Sequence, residues 1–328
     1  MRTLSVVIPS WNGAYLLQQN LPSVVEACRT WGGEWEILVV DDGSDDGTLV
    51  RIPERFHDVR VIAIGTNRGF QAACNRGFLV SRHPIVLLLN NDVQLTSHCL
   101  EPLMPHFGDT AVFGVSMGVK RSPDDPLDPA RILFRGAFHR GLIASPMAVV
   151  SEPPPCPNES FCIDGACCAI VREKFLVLGG FDEMFSPMYS EDRDLAFRVL
   201  KRGWKLLHEP RSLAYHPRGQ SSKRRYDART LAVISERNKY LLVWKNITDR
   251  RLLVIHAFFV WLRLLRSTIR GDGIAWRALW EAMGRWPEVR RGRRAERPHS
   301  RFTDCEIFSQ CRPPRGAQLI WFTDRPGP

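Results

Sequence analysis

Carboxylates and a histidine at defined spacing mark one stretch of this chain as able to do acid–base chemistry. Met188–His216 reads MYSEDRDLAFRVLKRGWKLLHEPRSLAYH, opening on Ser190-Glu191-Asp192 and closing on His216. Leu195, Ala196, Val199 and Leu200 recur at helical spacing, with Arg193, Arg198, Lys201 and Arg202 largely on the other face. Ser190 suits the N-cap and Gly203 the stop, which places Glu191 and Asp192 in the first turn. There the helix dipole favours the ionised carboxylate at neutral pH. An ionised carboxylate on a rigid element is what a general base requires. Taken alone, the stretch reads first as an ordinary capped surface helix, so the rest of the chain has to decide.

Further polar clusters sit where apolar runs stop. Leu4–Ile8 ends in Pro9-Ser10-Trp11, Glu36–Val40 ends in Asp41-Asp42 within DDGSDDGT, and Ile85–Leu89 ends in Asn90-Asn91-Asp92. Val59–Ile64 is a third apolar run, followed by NRGFQAACNRGF from Asn67, a loop opened by Gly69 that runs into a helix. Short β-branched runs alternating with helices predict an α/β protein with a parallel sheet, whose ligands bind at strand carboxyl ends. Asp41 and Asp42 can accept hydrogen bonds from a base or ribose, or simply form a solvated turn. Pro9, Ser10 and Trp11 can wall a base pocket, although Trp11 also fits plain core packing. Asp92 suits a hard divalent cation that leaves positions for phosphate oxygens and water. One Asp is a thin metal site, which makes His216 a second candidate ligand; a lone His is more often structural.

Farther along, Ala111–Val119 reads as a strand, and Phe161–Val171 as a strand and turn through Asp164-Gly165-Ala166. Pro217–Arg225 reads as a polar, basic, mobile loop. Leu231–Trp244, Leu252–Ile269 and Trp276–Trp286 have helical patterns, and Pro298–Pro328 reads as a poorly ordered tail.

A chain of 328 residues with 44% hydrophobic and 24% charged residues is globular and long enough for a large core plus an appendage. The net charge of +10 is uneven: Arg263–Arg301 holds eleven Arg against four acids. Nine Cys without a CxxC pair and no leader pattern suggest reduced thiols in a cytoplasmic setting. The longest apolar run, Leu252–Leu265, is interrupted by His256 and Arg263 and falls short of the roughly 20 residues of a spanning helix. There is no Walker A loop, GxGxxG fingerprint or GxSxG elbow.

Six motifs in order, VVIPSWNG, VVDDGSDDGT, NRGFQAACNRGF, LLNNDV, GGFDEMF and the YSED…AYH stretch, resemble the family-two inverting glycosyltransferases. The likeness spans roughly residues 3–245, including ERNKYLLVWKN (Glu236–Asn246), and is nearest the bacterial rhamnosyl- and galactofuranosyl-type transferases of cell-envelope glycans. It implies a GT-A fold: a mostly parallel sheet flanked by helices, with a C-terminal helical extension. The catalytic domain would take residues 1–225 (nucleotide-sugar half about 1–120, acceptor half about 121–225). The helical region would take 226–297 and the tail 298–328.

By the family pattern, Pro9, Ser10, Trp11, Asp41, Asp42, Asn67, Gly69 and Asn91 would hold the donor nucleotide, and Asp164 and Gly165 would lie near the donor sugar. Asp92 would be the metal-binding end of a DXD element whose first carboxylate is absent, with His216 closing the site around Mg²⁺ or Mn²⁺. Asp192 would be the general base, with Glu191 positioning acceptor or base. The donor implied is dTDP-rhamnose or a UDP-sugar, and the acceptor a glycan or lipid-linked glycan. The C-terminal helix and Arg-rich run suit an anionic membrane surface, which would put the protein on the inner face of the cell membrane, or else a helical lid packed on the catalytic domain. Rival readings are a nucleotidyltransferase, a nucleic-acid-binding protein and a donor-binding protein without catalysis. The charge lies outside the core and no aromatic-interleaved RNA motif accompanies it, so nucleic acid is not an expected partner.

Overall fold

The computed structural model describes residues 3–217 and 226–321. Strand β1 (Thr3–Ser10), helix α1 (Ala14–Trp31), β2 (Glu34–Asp41), α2 (Thr48–Arg55), β3 (Val59–Ala63), α3 (Phe70–Val80) and β4 (Ile85–Leu89) alternate from the start. β1 lies between β2 and β4, parallel to both, and β3 adds to the far side of β2. Side chains alternate across β1. Leu4, Val6 and Ile8 pack in one layer with Leu17 and Leu21 of α1, while Val7 packs in the other with Cys74 and Phe78 of α3. Gly77 permits that close contact, since a Cβ there would stand 2.3 Å from Val7 Cγ1.

Next come β5 (Gln94–Leu95), α4 (Leu100–Leu103) and β6 (Val112–Lys120). Short strands β7 (Ile132–Phe134), β8 (Ala137–His139), β9 (Leu142–Ala144), β10 (Met147–Val149) and β11 (Asn158–Glu159) lead to β12 (Cys167–Val171) and α5 (Arg172–Val177). Then follow α6 (Glu191–Lys201) and β13 (Lys205–Tyr215). The main sheet runs β11-β13-β6-β12-β4-β1-β2-β3. β12 is antiparallel to both β4 and β6, and β13 is parallel to β6. The expected α/β architecture therefore holds, in a mixed sheet. β13 escapes a sequence reading because Glu209-Pro210-Arg211 interrupts its apolar pattern; the structure absorbs them in a register shift between Glu209 and Leu213.

The helical region comprises α7 (Ala228–Asn246), α8 (Arg250–Arg270), α9 (Ile274–Gly284), α10 (Trp286–Glu296) and α11 (Asp304–Gln310), ending in β14 (Gln318–Ile320). It shares a core with α6 and the segment after β11, in which Phe161 and Phe197 meet Tyr240, Leu241, Ala278 and Ile307.

Several expectations change. The predicted third helix, Trp276–Trp286, divides into α9 and α10. Residues 298–321 are not a disordered tail: α11 carries a capping box between Thr303 and Glu306, and β14 pairs with β10. Residues 322–328 and most of the predicted Pro217–Arg225 loop lie outside the described residues. α8 is a 21-residue helix long and apolar enough to cross a membrane by length and composition, so the shorter apolar run read from the sequence understates it.

The helix carrying Glu191 and Asp192 also differs. Ser190 stands at the N-cap position with φ 74° and makes no side-chain cap, while Gly203 ends the helix at φ 80° as expected. Arg198 and Lys201 are buried rather than solvated. Arg198 pairs with Asp194 at 2.8 Å and Lys201 with Asp304 at 2.7 Å. The face that looks polar in sequence is covered by α7 and α11. Asp194, fully buried, also meets Lys245 and Asn246 of α7 at 2.8 Å each. Burial pushes its pKa up, but Arg198, Lys245 and Asn246 outweigh that and hold it low. Removing this carboxylate leaves buried cations unpaired, so Asp194→Ala should lower unfolding stability by about 3–5 kcal/mol in denaturant titration. A loss below about 1 kcal/mol would show that solvent reaches the cluster.

Candidate active site

A cavity of about 460 Å³ opens beyond the carboxyl ends of β1 and β4. Pro9, Ser10, Trp11, Asp42, Asn67, Gly69, Asn91, Asp92, Asp164, Gly165, Glu191, Asp192 and His216 all line it. Asp41 does not. It is buried, and its Oδ2 accepts the Ser44 N–H at 3.1 Å, closing the turn after β2. The parallel pairing of β1 with β2 sets Ser10 beside Asp41, and the next residue, Asp42, lines the cavity.

The loops of this half are tied together. Asp42 accepts the backbone N–H groups of Arg68 at 2.7 Å and Gly69 at 2.8 Å, so the carboxylate holds the loop that opens α3. Gly69 has φ 96°, a left-handed backbone that favours glycine. Asn91 Nδ2 donates to Ser10 Oγ at 3.0 Å, and Gly13 leaves room for both: a Cβ would stand 2.2 Å from Asn91 Nδ2. Asn90 N–H donates to the Ala166 carbonyl at 2.9 Å, tying the end of β4 to the Asp164-Gly165 turn.

Asp92 and His216 meet across the sheet. His216 follows β13, and its N–H donates to the Lys120 carbonyl at the end of β6. Its Nε2 stands 3.1 Å from Asp92 Oδ1, both side chains being buried. Among the described residues no group of three or more His, Cys, Asp or Glu side chains converges for a metal. Asp92 and His216 supply one oxygen and one nitrogen, a donor set that suits Mg²⁺ or Mn²⁺ if other ligands come from phosphate oxygens and water.

Glu191 and Asp192 enter from the start of α6. Asp192 Oδ1 accepts the Arg193 N–H at 2.7 Å, and Glu191 Oε2 accepts from Gln71 Nε2 at 3.3 Å. Burial, and then the charge of Asp192, push the Glu191 carboxyl up to about 8. Glu191 is therefore shifted toward its protonated form, against the expectation that the helix dipole keeps it ionised.

Sequence reasoning missed what aims this turn. Tyr189 and Ser190 both have left-handed backbones, with φ 75° and 74°, a conformation that costs non-glycine residues on the order of 1–3 kcal/mol. Fully buried Asn238 of α7 donates through Nδ2 to the carbonyls of Phe185, Met188 and Tyr189 at 2.7–2.9 Å, and its neighbour Arg237 donates to the Ser186 carbonyl. The only signal was the polar run Ser235–Lys239 inside an otherwise apolar helical pattern. Phe70, Pro187, Met188, Tyr189 and Tyr226 complete the walls and were likewise missed.

A second cavity of about 790 Å³ is also lined by Asp164, Asp192 and His216 and extends toward β8, β9, α7 and α8. Asp192 thus borders two spaces, one at the strand ends and one beneath the helical region.

A sequence model described as Glycosyl transferase family 2 matches residues 5–175. The chain is a family 2 glycosyltransferase. This transferase is 26% identical over 258 residues to the N-acetylglucosaminyl-diphospho-decaprenol L-rhamnosyltransferase of Mycobacterium tuberculosis (strain CDC 1551 / Oshkosh), covering 72% of this chain and 80% of that one. Its fold matches GalNAc-T7, solved with UDP, GalNAc and Mn²⁺, at TM-score 0.58 and 20% identity over 76% of this chain and 49% of that one. It also matches the mannosyltransferase PcManGT of Pyrobaculum calidifontis, solved with GDP-Man and Mn²⁺, at TM-score 0.54 and 17% identity over 90% and 84%. The architecture is of the GT-A type.

The raised Glu191 value has a measurable consequence. Between its ordinary value and about 8, the unfolded chain holds this carboxylate ionised and the folded transferase holds it protonated, so stability falls as pH rises through that window. Glu191→Gln removes the penalty. Its melting temperature should exceed the wild type's by a few degrees more at about pH 9 than at about pH 5. An equal difference at both values would mean that Glu191 ionises normally.

Proposed function

We propose that the protein is an inverting glycosyltransferase that moves a sugar from dTDP-rhamnose or a UDP-sugar to a hydroxyl of a glycan or lipid-linked glycan in cell-envelope synthesis. The observation that carries this reading is the position of Asp192 on the boundary between the two cavities. A nucleotide sugar in the strand-end cavity presents its anomeric carbon toward Asp192, and an acceptor entering from the other cavity brings its hydroxyl to the same carboxylate. Asp192 takes the hydroxyl proton as that oxygen attacks the anomeric carbon. The bond to the diphosphate breaks on the opposite face and its electron pair leaves with the nucleotide. One displacement, one base and no covalent intermediate give inversion. Glu191 beside Asp192 is shifted toward its neutral form, and in that protonated state it can hold the acceptor by donating a hydrogen bond.

Asp92 and His216 would hold a Mg²⁺ or Mn²⁺ ion, which when bound offsets the charge developing on the departing diphosphate. The M. tuberculosis relative, named for an N-acetylglucosaminyl-diphospho-decaprenol substrate, supports a lipid-linked acceptor and rhamnose as the first donor to test.

A general base contributes roughly 10²–10⁴-fold. Asp192→Asn should lose transfer by that factor while binding the nucleotide sugar as the wild type does. His216→Ala should instead weaken donor affinity and its dependence on divalent cation. A donor panel followed by nucleotide release, with Mg²⁺ and Mn²⁺ compared, reads both; near-normal turnover in Asp192→Asn removes it as the base.

The helical region supports peripheral attachment to an anionic membrane at the inner, cytoplasmic face. Val254, Phe258, Trp261, Leu265 and Ile269 form an outward stripe on α8, and Trp276, Trp280 and Met283 stand exposed on α9, Ile269 at 77% and Trp280 at 76%. Neighbouring Arg side chains complement anionic headgroups. The inner side of α8 is held by the protein: His256 is buried, bonding the Gly141 carbonyl at 2.6 Å and accepting from Trp244 at 2.9 Å. This arrangement favours a helix lying on the surface over one crossing it. In flotation with vesicles containing anionic lipid, the wild type should rise, and a Phe258→Ser, Trp261→Ser, Trp280→Ser variant should stay below. Equal behaviour of the two proteins would remove this face as the contact.

A further inference from the structure

The second cavity contains a basic end that the chemistry at Asp192 does not use. Away from Asp164 and Asp192, the described residues of its wall include Arg140, Lys239, Arg263 and the carboxylate Glu236. Glu236 stands 3.1 Å from Arg263 Nε and 3.5 Å from Lys239 Nζ, so it pairs with two of these three cations. The positive field reaches His139 on the same wall, whose pKa is lowered by burial and then by Arg140 and Arg263.

Arg140 is in an unexpected place. It sits at the tip of the β8–β9 hairpin with φ 49°, next to Gly141 at φ 75°. A two-residue turn with both residues left-handed favours Asn or Gly, and a long side chain there is strained. The tip is held on α8 by Arg263 Nη2 donating to the Arg140 carbonyl at 2.9 Å and by His256 on the Gly141 carbonyl. Gly141 could not be replaced, since a Cβ would stand 2.9 Å from Phe259 Cβ. Strain in a position that glycine would relieve, in a residue whose guanidinium lines a cavity, is the pattern of a side chain kept for a ligand.

We propose that Arg140, Lys239 and Arg263 form a seat for the phosphate or diphosphate of the acceptor, the group that follows the sugar whose hydroxyl meets Asp192. This rests on the transferase reading above. The planar guanidinium groups suit paired contacts to phosphate oxygens and the ammonium adds a point charge. The cavity of about 790 Å³ is large enough for a sugar and a diphosphate together. The phosphate could belong to a lipid carrier or to a soluble sugar phosphate.

Binding to the full chain in EDTA, without nucleotide sugar, separates this seat from the reaction. Inorganic pyrophosphate, farnesyl diphosphate and farnesol are titrated by calorimetry into the wild type, Arg140→Gly, Lys239→Gln and, as a charge control, Arg55→Gln. Pyrophosphate should bind the wild type and Arg55→Gln alike, and at least about tenfold more weakly to Arg140→Gly and Lys239→Gln. Arg140→Gly should keep or raise the melting temperature, because glycine relieves the turn; loss of binding in a protein at least as stable excludes misfolding. Tighter binding of farnesyl diphosphate than of pyrophosphate assigns the seat to a lipid-linked diphosphate, and equal binding to the phosphate alone. Wild-type affinity in both cavity variants, or equal weakening in Arg55→Gln, would overturn the seat. Failure of the transferase reading shows separately, as absence of nucleotide release from every donor.

Discussion

The buried carboxylate of Asp194 joins α6 to the helical region, and the candidate site depends on that junction. Four residues of three elements meet on it or beside it: Arg198 of α6, Lys245 and Asn246 of α7, and Asp182, which reaches Lys245 at 2.7 Å. In a medium that disfavours unpaired charge, these groups are stable only when all are present. The start of α6 is therefore set by α7, which lies outside the part of the chain that the family model covers. Asn238, two turns earlier on α7, works in the same direction by holding the left-handed Tyr189-Ser190 backbone from which Glu191 and Asp192 project. α7 thus aims α6 and closes the core.

The two halves of the site are built on different physical terms. At the strand ends, backbone amides and close-packed glycines do most of the positioning: Asp42 latches Arg68 and Gly69, and Gly13 lets Asn91 reach Ser10. That half is local to parallel strands whose register is set by apolar runs buried on both faces. The other half joins distant pieces. Asp92 meets His216 only because β13 lies parallel to β6, which places its end beside the β4 loop. Glu191 is held toward its neutral form by burial and the charge of Asp192, against the hydrogen bond from Gln71.

The helical region has a similarly divided character. Its inner surface contributes to a continuous core with Phe161 and Phe197, so the sequence-level choice between a lid and a membrane-facing segment was too narrow. One face packs on α6 and the β8–β9 hairpin, and the opposite face exposes large apolar side chains. Helices with apolar residues on both sides read as a single apolar run, and periodicity alone does not tell which side meets protein.

The parallel βα start, the polar clusters at strand ends and the motif order were legible in the sequence, because each rests on local pattern: buried β-branched runs, glycine-opened turns and a capped amphipathic stretch. Every residue expected in the cavity except Asp41 lines it; Asp41 is turned instead to the Ser44 N–H of the following loop, a contact that the run of acids does not distinguish from a ligand contact. What the tertiary structure alone decided was long-range. It inserted β12 antiparallel between β4 and β6, made a strand of a run broken by Glu209-Pro210-Arg211, and ordered the segment from Thr303 to Ile320. It also buried Arg198 and Lys201, which composition marks as solvated. The physical reason is common to all of these: a charged side chain or an interrupted strand is stabilised by partners far along the chain, and neither spacing nor propensity within a window records where those partners will be.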